Sequence, residues 1–174
     1  MEFSIRQATQ ADADRIAELH VQAWQWAYRD VFPDEFLDTM KVGNRALLWR
    51  AALETPAMRV WLAERDGALL GFTSTNPSRD PGAGTSTGEL GALYVRKEIA
   101  GSGIAAALLA WATKDLHARG FQPLTAWVFE KNQRARRFFE KHGWTTDGEV
   151  KVETIGGKSV RELRHSLQVR RSAG

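Results

Sequence analysis

The chain has 174 residues, no cysteine and a net charge of +3 at pH 7. That length suits one domain with a core of its own, so 1–174 is read as a single domain. The lack of cysteine excludes disulfides and thiolate metal sites, and the mild charge lacks the strong basic stripe of a nucleic-acid binder. Much of the excess lies late, at Lys131, Arg134, Arg136, Arg137, Lys141 and the 161–171 stretch, which suits a solvated face or a phosphorylated small molecule. No apolar run approaches the ~18 residues of a membrane helix, and Met-Glu-Phe-Ser-Ile-Arg reads as no signal peptide. The expectation is a cytoplasmic protein with no membrane or nucleic-acid partner and no metal.

Residues 2–8 alternate apolar and polar and read as a first strand. Asp12 and Asp14 suit a helix start, and Ile16, Leu19, His20, Ala23, Trp24 and Ala27 mark one helical face. Phe32-Pro33-Asp34 interrupts it. Phe36, Leu37 and Met40 belong to a second helix, and Leu47, Leu48, Trp49 and Leu53 to a further helical run that ends at Thr55-Pro56. Strands follow at 59–64 and 69–75, joined by Arg65-Asp66-Gly67, because Asp-Gly is a strong hairpin signal. Residues 76–87 form a polar Gly/Pro loop.

Leu90, Leu93, Tyr94 and Val95 are strand formers. Gly101-Ser102-Gly103 then makes a turn, and Ile104, Leu108, Trp111, Ala112 and Leu116 fall at helical spacing, closed by Gly120. A glycine turn that opens a helix points unpaired N–H groups at one spot, which binds phosphate. A strand at 123–129, a basic helix from Asn132 to His142, and strands starting at Trp144 and Val160 around an Ile155–Lys158 turn complete the chain. Strands and helices do not alternate regularly, so an α+β fold with a mixed sheet is expected.

Three blocks resemble the GNAT superfamily of acetyl-CoA-dependent N-acetyltransferases, in order and over almost the whole chain. Glu-Leu-Gly-Ala-Leu-Tyr-Val (89–95) looks like the central strand, and Ala-Gly-Ser-Gly-Ile-Ala (100–105) looks like the pyrophosphate loop. Asn132 to Trp144 looks like the family block Asn-x-x-Ala-x-x-Phe-Tyr-x-x-x-Gly-Phe. The resemblance implies a mixed twisted sheet of about six or seven strands flanked by about four helices, and acetyl-CoA as co-substrate. It implies a diphosphate held by Gly101, Ser102, Gly103, Ile104, Ala105 and Ala106. The pantetheine arm would lie along Leu93, Tyr94 and Val95, with Asn132 opposite; Asn132 also suits a helix N-cap. It admits a homodimer. Two positions depart from the pattern. Ala100 stands where Gln or Arg is usual. Phe139 stands where the family often has a tyrosine acid; either the acid comes from elsewhere or none is needed, because a CoA thiolate is a tolerable leaving group, and the tyrosines of the chain are Tyr28 and Tyr94. Tyr28 is the better candidate.

Acetyl transfer needs a neutral amine, a polarised carbonyl and a shared position. Glu89 opens the strand where several family members carry a catalytic glutamate. It is the candidate base, beside a reading as a solvated carboxylate. His20 faces the apolar side of the first helix and reads as a core histidine. His142 precedes Gly143 and reads as a helix-end residue. Trp24 and Tyr28 share a helical face while Trp26 points away, so Trp24 is assigned to packing with a share in the substrate pocket, and Tyr28 to the pocket edge. The expected acceptor is a primary amine of a small molecule or peptide. A non-catalytic acyl-CoA sensor on the same fold is the alternative. A nicotinamide-dependent oxidoreductase fits Gly101-x-Gly103-x-x-Ala106, but residues 96–100 separate the strand from the glycines, where a dinucleotide turn is tight.

Overall fold

The computed structural model describes residues 2–168. In chain order the elements are β1 (Ser4–Gln7), α1 (Ala13–Ala27), α2 (Asp34–Asp38), α3 (Val42–Glu54), β2 (Arg59–Arg65), β3 (Ala68–Pro77), β4 (Gly88–Val95), α4 (Ile104–Ala118), β5 (Leu124–Phe129), α5 (Gln133–Lys141), β6 (Thr145–Ile155) and β7 (Lys158–Leu167). Short 3-10 turns precede α1 and α4. The strands form one seven-stranded sheet in the order β1-β2-β3-β4-β5-β7-β6. The expected mixed sheet is present, with one helix more than the approximate four. The late basic stretch runs past residue 168, and its last residues lie outside the described ones. Among the described residues no helix is long and apolar enough to cross a membrane.

Alternation along the strands fixes which face each helix covers. In β2, Leu62 packs with Ile16, Leu19 and Trp49 of α1 and α3. Its neighbour Ala63 packs with Ile104 and Leu108 of α4 on the other face. In β5, Ala126 and Val128 meet the α4–α5 side, whereas Phe129 joins Tyr28, Phe32 and Leu37. Helix α4 buries Ile104, Leu108, Ala112 and Leu116, all at 0–1% exposure. Trp111, expected on that stripe, is 39% exposed and meets Trp61 edge-on at 5.6 Å. It sits three residues after Leu108, and the buried row runs every fourth residue. The helical run expected through Leu47, Leu48, Trp49 and Leu53 is α3; Leu47 and Leu48 are exposed on it, and only Ala46 and Trp49 are buried.

Every neighbouring strand pair is antiparallel except β4 and β5, which run parallel and pair only at Gly88 with Leu124 and Glu89 with Thr125. On the other side of β4 the register slips: Ser74 faces Ala92 but Thr75 faces Leu90, leaving Gly91 as the extra residue of a bulge. A Cβ at Gly91 would lie 2.9 Å from Ser74 Oγ and 3.0 Å from Asn76 Oδ1, so glycine lets the bulge close. The bulge re-aims β4 and turns it away from β5.

An ion network ties β1, β2 and the start of α1. Arg6 donates to both oxygens of Asp12, at 2.9 and 2.8 Å, and to Glu64 at 2.9 and 3.0 Å. Thr9 N–H adds a bond to Asp12 at 2.8 Å. These contacts lower the Asp12 carboxyl from 3.8 to about 2, the Arg6 bond being the main cause. A depressed carboxyl stabilises the fold above its unfolded value, and that stability is lost as pH falls through the folded one. Wild-type stability should therefore drop between about pH 4 and 2. Asp12→Asn should be less stable at pH 7 and show a shallower drop across that window, read from urea midpoints against pH. Leu116→Ala, at a fully buried position, should cost about 2–5 kcal/mol in the same titration at pH 7.

Candidate active site

Where β4 and β5 part, a cavity of about 950 Å³ opens. That is ample for a small-molecule site. Its walls are β4 from Glu89 to Val95, β5 from Ala126 to Phe129, parts of α1, α3 and α5, and the turn before α4.

The turn before α4 closes one end of the cavity. Gly101 and Gly103 have φ of 86° and 91°, which disfavour any side chain. A Cβ at either would meet nothing within 4 Å, so the space before them is open. The N–H groups of Gly103 to Ala106 find no main-chain acceptor among the described residues; the first such bond of the helix runs from Ala107 to Gly103 O at 3.0 Å. These unpaired donors and the positive end of α4 suit a diphosphate. Gly101, Gly103, Ala105, Ala106, Leu93, Tyr94, Val95 and Asn132 all line the cavity. Ser102 is exposed beside it, and Ile104 sends its side chain into the core, leaving its main chain at the turn. Asn132 caps α5 by accepting Ala135 N–H at 3.1 Å while it faces the cavity.

The opposite wall is aromatic. Trp24 stacks on Phe32 with centroids 5.4 Å apart, and its indole N–H donates to Tyr94 Oη at 3.0 Å. Tyr28 is buried edge-on against Trp24 and Phe129, deeper than the pocket edge expected for it. Burial pushes its phenol well above the usual value near 10, and that of Tyr94 upward too. Trp26 points away from this cluster, yet it reaches the rim under the Arg134 guanidinium at 4.8 Å. Phe139 is buried against Trp144 at 5.6 Å and offers no proton at the place where the family often has tyrosine.

His20 is the expected core histidine. Trp49 Nε1 donates to its Nδ1 at 2.9 Å, so the ring proton sits on Nε2, which has no partner. Burial, then the charge of Arg45, lowers its pKa to about 3. The lone pair is occupied, so His20 is no base, although it lines the cavity. His142 is exposed and donates from Nδ1 to Phe138 O at 2.8 Å, as suits a helix end.

Glu89 is buried at 5% exposure, not solvated. Arg79 of the 78–87 loop holds both its oxygens, through its N–H at 3.1 Å and its guanidinium at 2.9 Å. Sequence reasoning missed Arg79, and with it Lys151, Glu153 and Glu162, which line the same cavity. The signal for Glu162 was present: it is two residues after Val160 in a strand, so it shares the face of a buried valine. Among the described residues no group of His, Asp and Glu is arranged to hold a metal ion.

The model of the acetyltransferase (GNAT) family matches residues 13–144. The uncharacterized N-acetyltransferase YuaI of Bacillus subtilis is 30% identical over 130 residues, covering 74% of this chain and 73% of that one. An N-acetyltransferase from Staphylococcus aureus Mu50 superposes with a TM-score of 0.77 at 19% identity, over 98% of this chain and 100% of the other. The PaiA N-acetyltransferase of Thermoplasma acidophilum, solved in complex with coenzyme A, superposes with a TM-score of 0.72 at 21% identity over 97% and 99%. The parted strands, the glycine turn and the match over most of its length agree: the chain belongs to the acetyltransferase (GNAT) family.

Proposed function

We propose that the protein is an acetyl-CoA-dependent N-acetyltransferase. In this reading it moves an acetyl group to a primary amine of a small molecule or peptide, by direct attack with both substrates bound. The observation that carries it is the row of unpaired N–H groups from Gly103 to Ala106, opening onto the cleft between β4 and β5. That row fits a diphosphate, and the cleft fits a narrow arm leading from it. The PaiA relative binds coenzyme A on the same fold. When bound, acetyl-CoA supplies an activated thioester. Leu93 to Val95 have no β5 partner and are free to hold the arm through main-chain groups. Asn132 closes the slit opposite. Tyr28 and Tyr94 keep their protons, because burial raises both phenols. A phenol above 10 does not pass its proton downhill to a thiolate with an ordinary pKa near 8.5, so Tyr28 acts as a hydrogen-bond donor. Trp24 shapes the acceptor side beside it.

The acyl-CoA sensor keeps one observation in its favour, the buried Phe139 without a proton to give. A screen of primary amines with acetyl-CoA separates the two, since a sensor binds without releasing CoA.

Acetyl-CoA at about 100 times its Kd should stabilise the fold by about 2.7 kcal/mol, or on the order of 5–10 °C in melting temperature. No shift at millimolar acetyl-CoA would sink the proposal. Gly103→Val should remove the shift while the free protein still melts cooperatively, at a cost of about 1–2 kcal/mol for the strained backbone.

A further inference from the structure

Glu162 sits on β7 between Lys151 of β6 and Phe129 of β5 in the sheet register. It is 8% exposed and lines the cavity on the face that also carries Glu89 and the aromatic wall. Its Oε2 makes no well-formed hydrogen bond. The nearest cation is Lys151 Nζ at 3.3 Å, which also reaches Glu153 at 3.5 Å and the Trp127 ring at 4.7 Å. One shared, half-exposed ammonium is poor compensation for a buried carboxylate.

The other buried acids are compensated differently. Asp115 accepts from Thr75, Arg59 and Arg119. Asp12 accepts from Arg6, Thr9 and Arg15. Glu89 gives both oxygens to Arg79. Glu162 alone among these four faces the cavity with an oxygen to spare.

We propose that Glu162 receives the ammonium of the acceptor and takes its proton. The proposal rests on the acetyltransferase reading of the same cavity. In the step, an N–H bond of the acceptor breaks and an O–H bond forms on Glu162. The nitrogen keeps the electron pair as a neutral amine, and the carboxyl later returns the proton to water. The groups facing Glu162 are Lys151 and Glu153 from β6, Glu89 from β4, and the phenols of Tyr28 and Tyr94. Burial raises its pKa above 4.5, Lys151 opposes this, and Glu153 and Glu89 add to it. The net rise moves a carboxyl toward the range in which a base is useful.

The test uses the full chain, acetyl-CoA and a panel of primary alkyl, aralkyl and peptide amines, with CoA release followed by a thiol reagent. Glu162→Gln should lower kcat/KM by about 100-fold or more, while acetyl-CoA still raises its melting temperature. In the wild type, the acidic limb of kcat/KM against pH should lie above 4.5. Lys151→Met should move that limb to higher pH and Glu153→Gln to lower pH. A purely structural Glu162 would leave the limb in place in both. A limb that instead tracks the basicity of each amine, or a Glu162→Gln enzyme with wild-type rate, overturns the proposal. Carbon-13 carboxyl titration of Glu162 reads the same point without turnover: a midpoint at or below 4.5 overturns it. A wild type that is stabilised by acetyl-CoA yet acetylates no amine refutes the function reading instead, and the carboxyl titration then decides alone on Glu162.

Discussion

The parting of β4 from β5 is the constraint on which the site depends. Two residue pairs join these strands, and beyond Glu89 and Thr125 they diverge. The slip at Gly91 re-aims β4 while its bonds to β3 hold the other side. Divergence leaves the β5-facing edge of β4 without a strand partner from Leu90 onward. Unpaired main-chain groups in a protein interior are costly unless something else pairs them. A parted pair of strands is thus a cost in the free fold and an opportunity for a ligand that offers amides of its own. The helices set the ends of the slit. Helix α4 packs under the slit through Ile104 and Leu108, so its N-terminus lies at one mouth of the slit, and the glycines there keep the approach clear.

Charge is arranged around the slit with the same economy. Asp115 fastens α4 to β2 and β3 through Arg59 and Thr75, and its partners hold its pKa down despite burial. Glu162 is comparably buried but has Lys151 alone, and there desolvation wins. Burial by itself therefore does not set the direction of the shift; the number of donors aimed at the carboxylate does. Asp115 on α4 and Glu162 on β7 fall on opposite sides of this comparison.

Much of the frame was legible because it rests on local chemistry. Asp66 and Gly67 adopt positive φ in the β2–β3 hairpin, as an Asp-Gly turn requires. Gly143 and Asn132 bound α5 as expected, and the glycine turn opens α4. The glycine turn before α4 was legible for the same reason, since a turn followed by a helix is written in consecutive residues. The acceptor side was not. Glu89 meets Arg79 across a loop, Glu162 meets Lys151 across two strands, and Arg134 covers Trp26 from another helix. Such meetings depend on register and helix placement, which no single window of sequence encodes. Trp111 failed for a smaller reason: a helical face is a stripe of finite width, and one step of three instead of four carried it to the rim.

The proton inventory of the cavity follows from these placements. Its two phenols are held neutral by burial, and its histidine near the floor has its acceptor nitrogen occupied by Trp49. Phe139 adds nothing ionisable. The aromatic wall carries N–H and O–H donors, and the groups able to accept a proton are the carboxylates of β4, β6 and β7 and, at the rim, the Nε2 of His142. Of these, Glu89 is held by Arg79 and Glu153 is exposed. Phenol O–H groups thus line one side of the cavity and carboxylates the other. That polarity matches a reaction in which an oxygen gains negative charge while a nitrogen sheds a proton.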